Sequence, residues 1–371
     1  MNDFNDQLSS VLDLEKLNPA ARSFIAAIAH QPDLPLRLAK MGRMFHKQGK
    51  KDDGVAITRA ARALAPGDFR VSALTAWLDR QQAPLWHFSI VRDHDRNLAY
   101  ARALERFVKP GMIVYEIGTG TSILAMLAAR AGAKHVYTCE LKPDVAEAAR
   151  EIIRRNGFED RVTVINKNAK DVTVGVDLPE RADLFVAEIV DNALLGEYVL
   201  DLTESARANV LKPGAILLPH TVAARGCLIG RHAEIERFRM GRTLDFDLTA
   251  FNRFAPAEIN AGEGGGDFTR LSEDIDIARF DLAVDAPAEA MHEVQFTASC
   301  AGRAEGVLRW LHLDFGGSLI FENRPPQKSS WYPQIHVFAD PVDVARGDEI
   351  GVSVFHDRER LFLARRRGPG R

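Results

Sequence analysis

Between Met112 and Pro219 the chain switches repeatedly between short β-rich runs and amphipathic helical stretches, and this alternation restricts the fold more than any other feature. The spacing predicts strands at Met112–Ile117, His135–Glu140, Val162–Asn166, Leu184–Glu188 and Ile216–Pro219. Helices are expected at Ser122–Ala131, at Pro143–Asn156 and from about Tyr198 to Val210, and an earlier one from about Asp93 to Phe107 leads into Lys109-Pro110-Gly111. Strands that alternate with helices form a parallel sheet covered on both faces. The fold class is α/β.

The flanks have other periods. From Leu8 to Arg80 the apolar residues recur at helical spacing, with Pro19, Pro32, Pro35 and Pro66 where helices start or stop. Leu38, Met41, Gly42, Phe45, Gly54, Ala61 and Pro66 fall at tetratricopeptide spacings, and Phe24, Ala27 and Pro32 recur 34 residues before Thr58, Ala61 and Pro66. One full repeat with flanking halves is one reading; a plain antiparallel helical hairpin is the other. Beyond His220, Ala304–Phe315 alternates, with Leu311, Leu313 and Phe315 on one face and Trp310, His312 and Asp314 on the other. Ile350, Val352 and Val354 repeat that period, so an antiparallel sandwich or barrel is expected. The polar excursion from about Arg231 to Phe268, which contains Gly262-Glu263-Gly264-Gly265-Gly266, reads as an inserted arm or a surface loop. The expected division is a helical, tetratricopeptide-like region at 1–82, a Rossmann-like domain at 83–220 and a β-barrel or sandwich domain at 221–371.

Charge and cysteine usage exclude several functions. With 48 Lys plus Arg against 51 Asp plus Glu, the net charge of -3 lacks the broad basic surface of a non-specific nucleic-acid binder. Cys139, Cys227 and Cys300 are far apart and show no C-x-x-C spacing, so neither a disulfide framework nor a metal site is expected, and a reducing cytoplasm fits. No stretch approaches the length of uninterrupted apolar residues that a membrane span needs, and the first residues are acidic and polar where a signal peptide would be basic and then apolar.

Glu116-Ile117-Gly118-Thr119-Gly120-Thr121-Ser122 sits where the first strand hands over to the first helix, so Gly118 and Gly120 can bring backbone amides close to a ligand. A dinucleotide fingerprint requires a small residue at the position held by Ile123, which demotes nicotinamide and flavin cofactors. The next strand ends at Glu140, whose carboxylate could accept both hydroxyls of a ribose. An adenosyl ligand without a diphosphate is favoured. This arrangement resembles the class I S-adenosylmethionine-dependent methyltransferases, with Ser122 at their third small position.

Val186–Glu197 begins at the carboxyl end of a predicted parallel strand, the edge of an open α/β sheet where ligands bind. Glu188 and Glu197, joined by a loop that Gly196 can turn back, could converge on one cation. A guanidinium is the natural occupant, because its planar donors match carboxylate oxygens in pairs. From about Trp86 onward the chain resembles the protein arginine N-methyltransferases. It is most similar to divergent members whose loop reads E-x-x-D-x-x-L-x-G-E, here Glu188, Asp191, Leu194, Gly196 and Glu197. Those members include monomethylating ones and a branch bearing tetratricopeptide repeats.

The resemblance implies S-adenosyl-L-methionine as cofactor and Glu188 and Glu197 as catalytic residues. It assigns Arg96, in Asp93-His94-Asp95-Arg96-Asn97, to the methionine carboxylate, and Ala169 and Lys170, followed by Asp171, to the adenine edge; Glu116, Gly118, Gly120 and Glu140 complete the cofactor set. Trp86-His87-Phe88 resembles the element that closes over cofactor and substrate, so His87 is a substrate-side candidate. Where the family has Thr-His-Trp, this chain has Ser329-Ser330-Trp331, which leaves Asp93 without its expected His partner and makes Trp331 a candidate to flank the acceptor guanidinium. The expected reaction is methyl transfer to a guanidino nitrogen of a protein or peptide arginine. Free L-arginine is the rival acceptor, and a helical-repeat binding module with a silent methyltransferase-like domain is the alternative of another class. A homodimer formed through the arm is expected, with no nucleic acid, membrane or metal.

Overall fold

The computed structural model describes residues 8–80 and 83–366 and divides into two compact units, Met1–Leu85 and Trp86–Arg371. The first unit is helical: α1 (Pro19–Ile28), α2 (Leu34–Lys47), α3 (Lys51–Leu64) and α4 (Phe69–Arg80). Asn18 caps α1 by accepting from the Ala21 amide, and Pro19 occupies the first turn, where no amide is needed. Helices α2 and α3 approach until their backbones touch. A Cβ on Gly42 would come within 2.7 Å of the Gly54 carbonyl, and one on Gly54 within 2.8 Å of the Gly42 carbonyl. Leu38, Phe45, Ile57 and Ala61 are fully buried in this unit's core.

In the second unit, α5 (Trp86–Arg92) and α6 (His94–Phe107) precede a five-stranded sheet. Asp93 separates the two helices and caps α6 by accepting from the Arg96 amide at 3.1 Å. The sheet contains β1 (Ile113–Ile117), β2 (His135–Cys139), β3 (Val162–Ile165), β4 (Ala182–Ala187) and β5 (Leu211–Leu218), interleaved with α7 (Ile123–Arg130), α8 (Pro143–Arg155) and α9 (Val199–Asn209). Every pairing is parallel, in the order β3-β2-β1-β4-β5. All of β1 is buried, as a central strand covered on both faces must be. Ile117 pairs with both Cys139 and Ala187, so Gly118, Glu140 and Glu188 leave adjacent strand ends side by side. This is the point where strand order reverses, and such sheets bind ligands there.

The remainder is antiparallel. Strands β6 (Thr221–His232), β9 (Glu258–Asn260), β10 (Phe268–Arg270), β13 (Gly302–Asp314) and β15 (Gln334–Val344) form one sheet path, with β11 (Ile275–Asp281) and β14 (Ile320–Glu322) beside it. A second sheet holds β12 (Ala290–Thr297), β16 (Glu349–His356) and β17 (Leu361–Arg365). The alternation in β13 sorts its faces as expected: Leu311, Leu313 and Phe315 enter the main core, and Trp310 faces away. Its outer face is nevertheless not exposed. Trp310 and Leu308 pack with Cys227, Ile229, Ile259 and Ile335 in a separate cluster that also takes in Ile235 and Ala261 from the 231–268 segment.

The 231–268 segment is more woven in than an arm projecting throughout. It contains α10 (Ala233–Arg237) and a hairpin of β7 (Arg242–Thr243) and β8 (Phe246–Asp247), then returns as β9, paired with β15. Its exposed apolar part is narrower, carrying Phe238, Leu244, Phe246, Phe251 and Phe254. Among the described residues, no helix is long and apolar enough to cross a membrane.

Candidate active site

The turn after β1 needs its glycines. Gly118 has φ 84 and Gly120 φ 49, values in the left-handed region that glycine adopts without strain, and Ser122 follows at φ 64 as the residue before α7. A Cβ on Gly118 would come within 3.3 Å of Ile189 in the loop after β4. Glu140 completes the turn: Oε2 accepts from the Gly120 amide at 3.2 Å and Oε1 from the Lys142 amide at 2.9 Å. His87, stacked on Trp86 with ring centroids 3.9 Å apart, lies 3.8 Å from where a Gly120 Cβ would be. The structure thus puts His87 beside the glycine turn. Ala169 and Lys170 lie in a short 3-10 turn after β3, where Lys170 Nζ reaches Asp201 at 3.5 Å.

Glu116 is buried on β1 beneath this turn. Burial pushes its carboxyl up to about 8; a hydrogen bond with Thr138 opposes the rise, and Glu140 and Glu188 add to it. Glu116 Oε2, Ser122 Oγ and Arg96 Nε are buried atoms without hydrogen-bond partners. Orphaned polar atoms gathered around a glycine turn fit a polar ligand that would satisfy them.

Glu188 leaves β4 with its side chain 12% exposed, and its Oε2 lies 2.6 Å from Nη1 of the buried Arg96. In this structure, then, Arg96 pairs with Glu188. Burial drives the Glu188 carboxyl up to about 8; Arg96 pulls it down, while Glu197 pushes it further up. Glu197 is raised to about 7 by burial and by Asp191. The loop brings together two carboxyls that hold protons unusually tightly, and a cation placed between them would reverse both shifts.

The loop is braced from inside and outside. Asp191 Oδ1 accepts from the amides of Ala193 and Gly196, each at 3.0 Å. A Cβ on Gly196 would overlap the Asp191 carboxylate, so any larger residue at 196 would push that brace aside. Tyr100 donates its hydroxyl to the Ala187 carbonyl at 3.0 Å. From the β domain, the Tyr332 amide donates to Asn192 Oδ1 at 3.0 Å and Arg309 Nη1 to the Ala193 carbonyl at 3.2 Å.

In the Ser329-Ser330-Trp331 segment, serines take the place of the His that Asp93 lacks: its Oδ2 accepts from Ser329 Oγ at 2.6 Å, the Ser330 amide at 2.8 Å and Ser330 Oγ at 3.0 Å. Burial pushes Asp93 up, but these bonds outweigh it and hold the carboxyl below its usual value. Trp331, expected to flank an acceptor guanidinium, is buried, with Phe321 at its edge and the Arg96 guanidinium 5.6 Å from its ring centroid. The cation against Trp331 belongs to the chain itself.

Asn192, Tyr100 and Arg309 were not singled out from the sequence. One signal was available for Arg309, a charged residue inside the apolar run Val307-Leu308-Arg309-Trp310-Leu311. Among the described residues, no group of three or more His, Cys, Asp or Glu side chains is placed to hold a metal ion.

A family model for ribosomal protein L11 methyltransferase (PrmA) matches residues 94–232. An arginine N(omega)-methyltransferase of Streptomyces achromogenes subsp. streptozoticus is 34% identical over 283 residues, 75% of this chain and 77% of that one. Protein arginine N-methyltransferase 7 of Danio rerio is 28% identical over 78% of this chain, and that of Bos taurus 30% over 76%. The chain spans about half the length of these two relatives, 48% and 47%. Among solved structures, a Trypanosoma brucei PRMT1 enzyme-prozyme heterotetrameric complex with AdoHcy matches with a TM-score of 0.65 at 23% identity, over 72% of this chain and 86% of that one. Arabidopsis thaliana protein arginine methyltransferase 10 matches with a TM-score of 0.61 at 20% identity, over 74% and 88%. These two share the fold, a Rossmann-like methyltransferase domain followed by an antiparallel β-barrel. With 34% identity running through three quarters of both chains, this chain belongs to the arginine N-methyltransferase family.

Proposed function

We propose that this protein methylates a guanidino nitrogen of arginine in a protein or peptide, with S-adenosyl-L-methionine as donor. The observation that carries the reading is the pair Glu188 and Glu197, two largely covered carboxyls with raised proton affinity on one loop beside the glycine turn. When bound, S-adenosyl-L-methionine supplies a methyl group activated on a positively charged sulfur. Glu140 and the amides of the Gly118–Gly120 turn would hold the ribose, Ala169 and Lys170 the adenine edge, and the unpartnered Nε of Arg96 the amino-acid carboxylate. Glu116 stays neutral beneath the turn and adds no charge against Glu140.

Glu188 and Glu197 would then grip the acceptor guanidinium and fix the reacting nitrogen in line, which is catalysis by positioning and electrostatic preorganisation. As that nitrogen gains its methyl it loses one proton, and a carboxylate whose proton affinity is already raised by burial is suited to receive it. His87 would shield the turn from water. Around this centre we place a tetratricopeptide-like region at 1–82, the cofactor domain at 83–220 and the substrate domain at 221–371. Two copies would associate through the exposed aromatic part of the 231–268 segment, in the cytoplasm.

A second reading, free L-arginine as acceptor, draws support from the Streptomyces relative, which is named an arginine rather than a protein arginine methyltransferase. The test is incubation with methyl-labelled S-adenosyl-L-methionine plus either an Arg-Gly-rich peptide or free L-arginine, with the products weighed by mass spectrometry. Label in the peptide supports the proposal. Label in free arginine alone selects the second reading, and label in neither overturns both.

A further inference from the structure

Arg309 sits in the middle of β13 and is 1% exposed, an expensive place for a charge that never loses its proton. Its guanidinium has two partners. Nη1 donates to the Ala193 carbonyl at 3.2 Å, at the tip of the loop that carries Glu188 and Glu197. Nη2 pairs with Oε1 of Glu258. Strands β13 and β9 flank β15: Arg309 pairs with Gln334, and Gln334 with Asn260, so Arg309 reaches across one strand to a carboxylate on the next. The other oxygen of Glu258 is 4.0 Å from Nη2 of Arg360, which limits its freedom to turn away.

We infer that Arg309 is a positioning residue for the reaction, oriented by Glu258, and that its hold on the Ala193 carbonyl sets the separation of Glu188 and Glu197. This rests on the proposed role of those two glutamates. The action runs through the backbone and not through charge at a distance. Arg309 touches the loop at the Ala193 carbonyl, a main-chain group, and its charge pairs with the Glu258 carboxylate rather than with Glu188 or Glu197. The other braces leave the tip incomplete, since Asp191 holds the amides of Ala193 and Gly196, while among the described residues Arg309 holds the Ala193 carbonyl. Arginine suits the position because two nitrogens of one rigid planar fork, Nη1 and Nη2, meet two partners at once, whereas the donors of a lysine all radiate from a single nitrogen on a flexible stem.

The test compares Arg309→Lys and Glu258→Gln with wild type in the full-length protein. Amide hydrogen exchange of Ala193 and Gly196 should speed up at least tenfold in Arg309→Lys and less in Glu258→Gln, while β13 amides exchange as before. The kcat should fall about 10- to 100-fold in Arg309→Lys, with the KM for S-adenosyl-L-methionine unchanged and the pH midpoint of the rate in place. Unchanged exchange at Ala193 and Gly196 overturns the inference. A fall in kcat accompanied by a shifted pH midpoint also overturns it, since that would mean action through charge. If Arg309→Lys does not fold, Glu258→Gln keeps the arginine and carries the same exchange test. The exchange readout needs no turnover, so a wild-type protein that methylates no arginine would sink the functional reading while leaving this one to be judged separately.

Discussion

The rim of the parallel sheet and the β domain contribute to the site in different ways. The rim supplies the groups that would meet ligands: Gly118, Glu140 and Glu188 leave three neighbouring strand ends, and Glu197 follows within the same loop. The β domain supplies the braces, with Arg309 and Tyr332 on the loop and Ser329 and Ser330 on Asp93. Reacting groups come from the place where a sheet opens and its backbone is free to bend. Rigidity is borrowed from the antiparallel strands, chiefly β13, which is paired on both sides by β6 and β15.

That division can be broken by substitutions on either side of it. The largest loss is expected on the rim itself. Glu188→Gln keeps the shape but removes the charge and should lower kcat about 10²- to 10³-fold, with S-adenosyl-L-methionine affinity measured by calorimetry nearly unchanged. Wild-type turnover in that variant would remove the rim from the chemistry. A smaller effect tests whether the loop's internal brace matters as much as its reactive groups. Gly196→Ala forces a methyl into the Asp191 carboxylate and should reduce kcat about 10- to 100-fold, since a displacement of an ångström is enough to misalign a reaction. Steady-state kinetics showing less than a twofold change would mean the loop absorbs the strain.

The smallest effect sharpens the comparison through stability. The Glu197 carboxyl is raised to about 7 in the folded chain from an ordinary value of 4.5, so the folded state binds the proton more tightly than the unfolded state does. Its contribution is therefore favourable at low pH and is lost as pH climbs from about 4.5 to 7. Glu197→Gln should melt about 2 °C or more above wild type at pH 8.5 and at nearly the same temperature at pH 4. Equal melting temperatures at both pH values would show that the carboxyl is not strained by burial. A rim that is costly to keep and a β domain that stabilises it would then be measurably distinct.

How far the sequence revealed this depends on distance along the chain. The strand and helix spans from 112 to 219 followed from apolar period and from Gly and Pro punctuation, and the site's location followed from strand ends. Both are local signals. The braces are not local: Ser329 meets Asp93 across 236 residues, and Arg309 meets Ala193 across 116. Asp93 illustrates the limit, because the sequence showed that its His partner was missing but not that two hydroxyls and an amide converge on it instead. Trp331 illustrates another, since its residue type fitted a cation contact but only the packing identifies the cation as Arg96. The period sorted the two faces of β13, but it did not show that Trp310 packs into a second cluster with residues from three other strands.

Asp93 does two jobs with one side chain, capping α6 through Oδ1 and receiving the serine segment through Oδ2. The helix that carries Arg96 is thereby pinned to the β domain at its very first turn. Traffic of ligands in and out cannot use a swing of that helix without tearing out its cap. The helix just upstream, Trp86–Arg92, is held less closely: none of its residues is buried, and Trp86 and Phe88 are exposed.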